Sequence, residues 1–154
     1  MDAAQLLREA GVRATPVRLA VLRSLIRLGH PTSQPDLAQL PQLEACDRVT
    51  LYRTLNLLRS SGLVHTVQGI DGAWRFCAHE LDVAGCPGDH PHFLCLSCGR
   101  MLCLVGQKLP RIEVPADVQV QGKQLVVYGR CGACAPRATP KPSLVSGLRR
   151  RARA

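Results

Sequence analysis

Asp47-Arg-Val-Thr-Leu-Tyr-Arg-Thr-Leu-Asn-Leu-Leu-Arg-Ser-Ser-Gly62, running on into Leu63-Val-His-Thr-Val-Gln68, Gly69-Ile-Asp-Gly72 and Ala73-Trp-Arg-Phe-Cys77, is the stretch on which the fold turns. Asp47 can cap a helix that carries Leu51, Leu55 and Leu58 on one side and stops at Gly62. Arg48, Tyr52, Asn56 and Arg59 stack on the opposite side at steps of three or four. That pattern suits a solvated helix face and equally one that meets a polyanion. The two β-prone runs flanking Gly69-Ile-Asp-Gly72 read as a hairpin.

Upstream, helix signals recur. Leu6 and Leu7 mark a short helix that Gly11 stops. Thr15 can act as an N-cap, Pro16 takes the first helical position, and Leu19, Leu22, Leu25 and Ile26 follow until Gly29. Ser33 can cap a brief helix through Leu37 and Leu40 that Pro41 ends. Helices followed by a hairpin, with the last helix amphipathic and basic on its outer side, describe a winged helix-turn-helix over residues 1–77.

Residues 78–89, with Gly85, Pro87 and Gly88, read as a hinge. A second module over residues 90–135 is expected to hold strands around Phe93–Cys95, Met101–Val105 and Gln124–Tyr128. Residues 136–154 are rich in Pro, Ser, Ala and Arg and are expected to form a basic, disordered tail. The predicted class is therefore α+β, a winged helix followed by a small α/β module.

A chain of 154 residues with 46% apolar composition can bury one ordinary domain or two small ones. Aromatic residues make up only 3%, so a metal crosslink would supplement a thin core. No run approaches the ~18 apolar residues of a membrane span, and the first residues lack a secretory apolar region. The expected compartment is the cytoplasm, where eight cysteines read as metal ligands rather than disulfides. The net charge of +9 is uneven: residues 1–76 hold nine basic and six acidic side chains, residues 77–135 five of each, and residues 136–154 six basic and none acidic. Such a distribution suits a polyanionic partner.

Cys95-Leu-Ser-Cys98 and Cys131-Gly-Ala-Cys134 are two knuckles at zinc-ribbon spacing, able to close a tetrahedral structural zinc site. Neither precedes the helix that a thioredoxin-like redox motif requires. A second site follows from the hairpin. A turn centred on Ile70 and Asp71 puts His65 nearly opposite Cys77, with β-carbons roughly 4.5–5.5 Å apart. His90 and His92 alternate to one side of an extended segment and can supply two more ligands, while Cys103 offers a further thiolate. Singly, His65 would be a wing surface residue and Cys77 a small core residue. The choice among His65, His79 and Cys103 stays open. Thiolate with imidazole favours Zn²⁺, then iron, then nickel.

With these segments laid out, the chain resembles the ferric uptake regulator (Fur) family over residues 5 to 135. The likeness rests on Gly11-Val-Arg-Ala-Thr-Pro-Val-Arg18, Val49-Thr-Leu-Tyr-Arg-Thr-Leu-Asn56, Ser61-Gly-Leu-Val64, His90-Pro-His-Phe-Leu-Cys-Leu-Ser-Cys98 and Tyr128-Gly-Arg-Cys-Gly-Ala-Cys134. The resemblance implies a homodimer paired through its second modules, gripping a palindromic, AT-rich double-stranded DNA operator. It also implies DNA contacts by Tyr52 and Arg53, with Thr50 and Asn56 on the same helix, by Arg13 in the minor groove, and by Arg18 near the phosphates. Within the family the chain is most similar to the zinc uptake regulators, whose sensor ligands fall here on His65, Cys77, His90 and His92. The function so implied is repression of metal-uptake genes, with zinc as corepressor.

Some positions depart from the family pattern. Peroxide sensors of the family need an oxygen-rich iron site, and Cys77 and Cys103 stand where those sensors carry aspartates. An iron- or peroxide-responsive regulator is therefore the alternative within the family. A further regulatory site of some relatives would fall on Pro110 and Lys123, which cannot form it. Gly106–Val120, broken by Pro110 and Pro115, is shorter and less helical than the usual dimerisation helix. Cys86-Pro87 resembles a haem-responsive dipeptide and equally a plain loop cysteine.

Two rivals belong to other classes. A zinc hydrolase needs an open coordination position and a general base; the only nearby acids are Glu80, Asp82 and Asp89, and no HExxH helix is present. The other rival is a zinc-ribbon adaptor that binds protein alone.

Overall fold

The computed structural model describes residues 2–78 and 90–135. His79, Glu80, Asp82, Asp89, Cys86-Pro87, all of the hinge but Ala78, and the basic tail lie outside the described residues. Four helices open the chain: α1 (Ala3–Glu9), α2 (Pro16–Leu28), α3 (Gln34–Ala38) and α4 (Arg48–Ser60). The short strand β1 (Thr32–Ser33) precedes α3, and a 3-10 turn (Pro41–Leu43) follows it. The hairpin is β2 (His65–Gln68) and β3 (Trp74–Cys77), and the second module holds β4 (His92–Cys95), β5 (Met101–Cys103) and β6 (Val126–Gly129).

The helix ends follow the expected caps. Thr15 Oγ1 accepts the Arg18 N–H at 3.4 Å. Gly29 takes the left-handed conformation, φ 61°, and its N–H donates to the Leu25 carbonyl, which ends α2 where a side chain would be strained. Ser33 caps α3 by accepting the Asp36 N–H. Asp47 Oδ1 accepts from the N–H groups of Val49 and Thr50 at 3.0 and 2.9 Å, so the first turn of α4 is satisfied by its own flanking residue.

Leu7, Leu22, Leu25, Leu37, Leu51, Leu55 and Leu58 are all at most 1% exposed and form one core that Phe76 of the wing closes. Each leucine buried this fully contributes about 1.5–3 kcal/mol of transfer free energy. The alternation of leucine and polar positions along α4 thus decides which side packs and which side stays outside.

In the wing sheet, with order β1-β3-β2, His65 pairs directly with Cys77 and Val67 with Arg75. The hairpin turn is centred on Asp71, so the register lies half a step beyond the expected centre and brings His65 fully opposite Cys77. Strand β1 had no separate sequence signal: two residues before a helix cap carry no periodicity, and only their pairing with β3 reveals them. The second sheet has order β5-β4-β6, with β4 antiparallel to β5 and parallel to β6. Its strands begin or end within about two residues of the expected ones. Residues 104–125 contain neither helix nor strand, and the described part of this module is built of strands and loops alone.

Candidate metal centre and nucleic-acid interface

The candidate metal centre is assembled from two cross-strand pairs, one in each sheet. His65 and Cys77 face each other across β2 and β3, and His92 and Cys103 across β4 and β5. His90 stands just before β4. The ligand atoms of His65, His90, His92 and Cys103 all lie within 4.8 Å of one another. The imidazole centroids are 4.7 Å apart for His90 and His92, 5.6 Å for His65 and His92, and 5.8 Å for His65 and His90. Cys77 borders this group, its Sγ 3.8 Å from that of Cys103. The cluster therefore joins the wing to the second module, with Cys103 inside it and Cys77 at its edge.

Whether a cation fits can be tested on His92. The residue is 2% exposed, and neither of its ring nitrogens has a hydrogen-bond partner among the described residues. Buried polar groups are normally satisfied, and leaving one unpaired costs on the order of 1–3 kcal/mol. A metal bond to one nitrogen would satisfy it, and three imidazoles with one thiolate complete a tetrahedral set.

The four knuckle cysteines form the second cluster, Cys95, Cys98, Cys131 and Cys134, with ligand atoms within 4.8 Å of one another. Cys98 and Cys131 sulfurs are 3.9 Å apart, and the Cys131 N–H donates to Cys95 Sγ at 3.3 Å. That amide, helped by those of Cys98 and Ser97, draws the Cys95 thiol down to about 6. Crowding by the Cys131 and Cys98 sulfurs pushes the Cys134 thiol up to about 12. Four sulfurs this close together are the donor set of a closed zinc site.

The outward side of α4 is open. Tyr52 is 54% exposed, Arg53 and Arg59 are exposed, and Asn56 Nδ2 donates to the Tyr52 carbonyl at 3.2 Å. A cleft of about 340 Å³ brings Arg18, Thr50 and Arg53 together, and Arg18 Nη1 donates to the Arg13 carbonyl at 2.9 Å. A second groove of about 570 Å³ runs between α4 and the wing, lined by Tyr52, Asn56, Arg59 and Trp74. All six predicted DNA-binding residues thus lie on α4 or the segment leading into and opening α2. Arg75 and Gln124, which tie the wing to the second module, were not anticipated. Strand alternation held the signal for Arg75: a charged residue on the same wing face as Cys77 must find a buried partner or stay out of the contact.

A winged helix joined to a second sheet through imidazoles and thiols defines the class, a DNA-binding architecture with sites suited to metal. The sequence model of the Ferric uptake regulator family matches residues 9–117, and the chain belongs to that family, whose members are metal-responsive transcription regulators rather than enzymes. Among curated relatives, the "Peroxide operon regulator" of Bacillus subtilis is 31% identical over 139 residues, covering 86% of this chain and 91% of that protein. Among solved structures, the ferric uptake regulator of Vibrio cholerae superposes with a TM-score of 0.59 at 24% identity, over 84% of this chain and all of the other. The crystal structure of holo XcZur matches with a TM-score of 0.54 at 26% identity, over 84% of this chain and 94% of the other. No helix among the described residues is long and apolar enough to cross a membrane.

Proposed function

We propose that this regulator senses zinc and, as a cytoplasmic homodimer, represses metal-uptake genes by binding a palindromic, AT-rich operator when zinc is abundant. The observation that carries the reading is the donor set: three imidazoles and a thiolate drawn from both modules, with no carboxylate in the cluster among the described residues. Soft thiolate with imidazole suits zinc, and iron sites richer in oxygen suit a different ligand set.

His65 on the wing, with His90, His92 and Cys103 on the second module, would hold the regulatory ion, and Cys77 stands beside them as a further donor. When bound, the ion supplies a crosslink between the modules. The chain's own residues do the rest: β2 and β4 orient the imidazoles, and the wing fixes α4 relative to the second module. The favoured arrangement is the one that sets two recognition helices at operator spacing. A hundredfold gain in DNA affinity corresponds to about 2.7 kcal/mol of coupling, within the reach of a multidentate site.

On the DNA side, Tyr52, with Thr50 and Asn56, would read base edges, while Arg53 and Arg18 would meet phosphates and Arg13 the minor groove. Pairing of two chains is supported by β6, an edge strand that exposes Val127 (48%) and Tyr128 (57%). Cys95, Cys98, Cys131 and Cys134 would hold the structural zinc.

The 31% identity to a peroxide operon regulator favours a second reading, iron-dependent peroxide sensing. One experiment separates the two: operator binding measured in parallel against buffered free zinc, iron and manganese, with and without hydrogen peroxide. Zinc acting at the lowest free concentration, with no response to peroxide, supports the first reading. Iron-dependent binding abolished by peroxide replaces it with the second.

A further inference from the structure

Strand alternation gives the wing two faces. Thr66, Trp74 and Phe76 line the groove beside α4. The paired residues His65 and Cys77, and Val67 and Arg75, occupy the other face, which meets the second module. Along that face the contacts change in kind. His65 enters the metal cluster, Val67 packs on Leu94 and Met101, and Arg75 reaches the first zinc knuckle.

Arg75 is 6% exposed. Its guanidinium forks onto Asp71, Nη1 to Oδ1 at 3.0 Å and Nη2 to Oδ2 at 2.6 Å. Nη1 also donates to the Ala73 carbonyl at 3.3 Å, and Nη2 to the Gly99 carbonyl at 3.3 Å. Gly99 belongs to the knuckle turn, where its N–H donates to the Cys95 carbonyl at 2.9 Å. The fit depends on Gly69, because a β-carbon there would collide with the Asp71 carboxylate and the Arg75 guanidinium. A second tie lies at the other edge: the Gln124 side chain donates to the Gln68 carbonyl at 3.2 Å and accepts the Gln68 N–H at 3.3 Å.

We infer that Arg75, oriented by Asp71 and seconded by Gln124, is a positioning clasp that docks the wing on the zinc-knuckle module and so brings His65 to the regulatory ligands of β4 and β5 before the metal binds. Undocking would leave the fork onto Asp71 and the bond to Ala73, both within the wing, but would strip the buried guanidinium from Gly99 and expose the Val67 contact. Apparent metal affinity scales with the fraction of chains already in the competent arrangement. The knuckle site thereby influences the regulatory site through the Gly99 carbonyl without sharing a ligand. The effect on metal affinity rests on the metal-sensing reading above, whereas the docking does not.

Arg75→Gln and Gln124→Ala test the clasp in the full-length chain with its knuckle zinc retained, as checked by metal content. Competition with a chelator should show regulatory-site zinc affinity lowered roughly tenfold by Arg75→Gln and less by Gln124→Ala, with operator affinity restored at saturating zinc. Unchanged zinc affinity in Arg75→Gln overturns the inference. If that variant loses its knuckle zinc, Gln124→Ala decides alone by the same criterion. Small-angle X-ray scattering of the chain holding only knuckle zinc reads docking without any regulatory metal: a compact particle that expands in Arg75→Gln supports the clasp, and superimposable curves refute it even if the regulatory metal is not zinc.

Discussion

The Sγ atoms of Cys77 and Cys103 stand 3.8 Å apart, one on the wing and the other on the second sheet, much as Cys98 and Cys131 stand 3.9 Å apart within the knuckle cluster. Cys77 thus adds a fifth donor beside four that already suffice for a tetrahedral ion. Cys103 lies inside the mutually close group and Cys77 beside it, so their substitutions should differ. Outer-shell changes typically cost 10–100-fold in metal affinity. Cys103→Ser should exceed about 100-fold and Cys77→Ser should fall in about the 10–100-fold range. Chelator competition, with cobalt substituted to count thiolate charge-transfer bands, measures both. The reverse ranking would give the ligand role to Cys77.

Asp47 carries the start of α4. Hydrogen bonds from Thr50 and the Val49 N–H hold its carboxyl below the usual carboxylate range. Asp47→Ala removes this cap and should destabilise the winged helix. Circular dichroism reads the loss as a fall in melting temperature. No measurable shift would mean that packing of Leu51, Leu55 and Leu58 alone sets this end of the helix.

Much of this was legible in the sequence, for definable reasons. Thr15, Pro16 and Gly29 bracket α2, and Asp47 and Gly62 bracket α4, because caps act within a few residues of the backbone they satisfy. The hairpin placed His65 against Cys77 because antiparallel register follows from the turn. Contacts between modules were less accessible. That Cys103 rather than Cys77 joins the mutually close group depends on how two sheets meet, and sequence spacing within either sheet is silent on that. The same holds for Arg75 with Gly99 and Gln124 with Gln68, which are 24 and 56 residues apart.

Zinc held by the knuckles would staple a module whose described residues bury few apolar side chains, chiefly Leu94, Cys95 and Met101. Cys131→Ala removes one thiolate ligand and keeps the backbone N–H of residue 131 that donates to Cys95 Sγ. It should abolish zinc retention at that site and unfold the β5-β4-β6 sheet while the winged helix stays helical, as seen by metal analysis and proton NMR. A folded sheet after zinc loss would show that the metal is dispensable there.

Asp71 gives the wing contact a pH signature. Its hydrogen bonds from Arg75 hold the carboxyl below the usual range, so the unfolded chain binds its proton more readily than the folded chain does. The contribution is present above the ordinary carboxylate pKa of about 3.9 and is lost as pH falls through the lower folded value. Comparing melting temperatures of the unmodified chain and Asp71→Asn cancels acid effects elsewhere. The gap between them should be constant near neutrality and close in acid. A gap that persists unchanged in acid would mean that the Asp71 charge contributes nothing to the fold.

Operator affinity measured by fluorescence anisotropy, on one preparation carrying only knuckle zinc and on the same preparation after the His65, His90, His92 and Cys103 site is loaded, tests the coupling of metal to DNA most directly. A gain on the order of 100-fold on loading, abolished by His92→Ala, is the predicted result. Equal affinity before and after loading would contradict it.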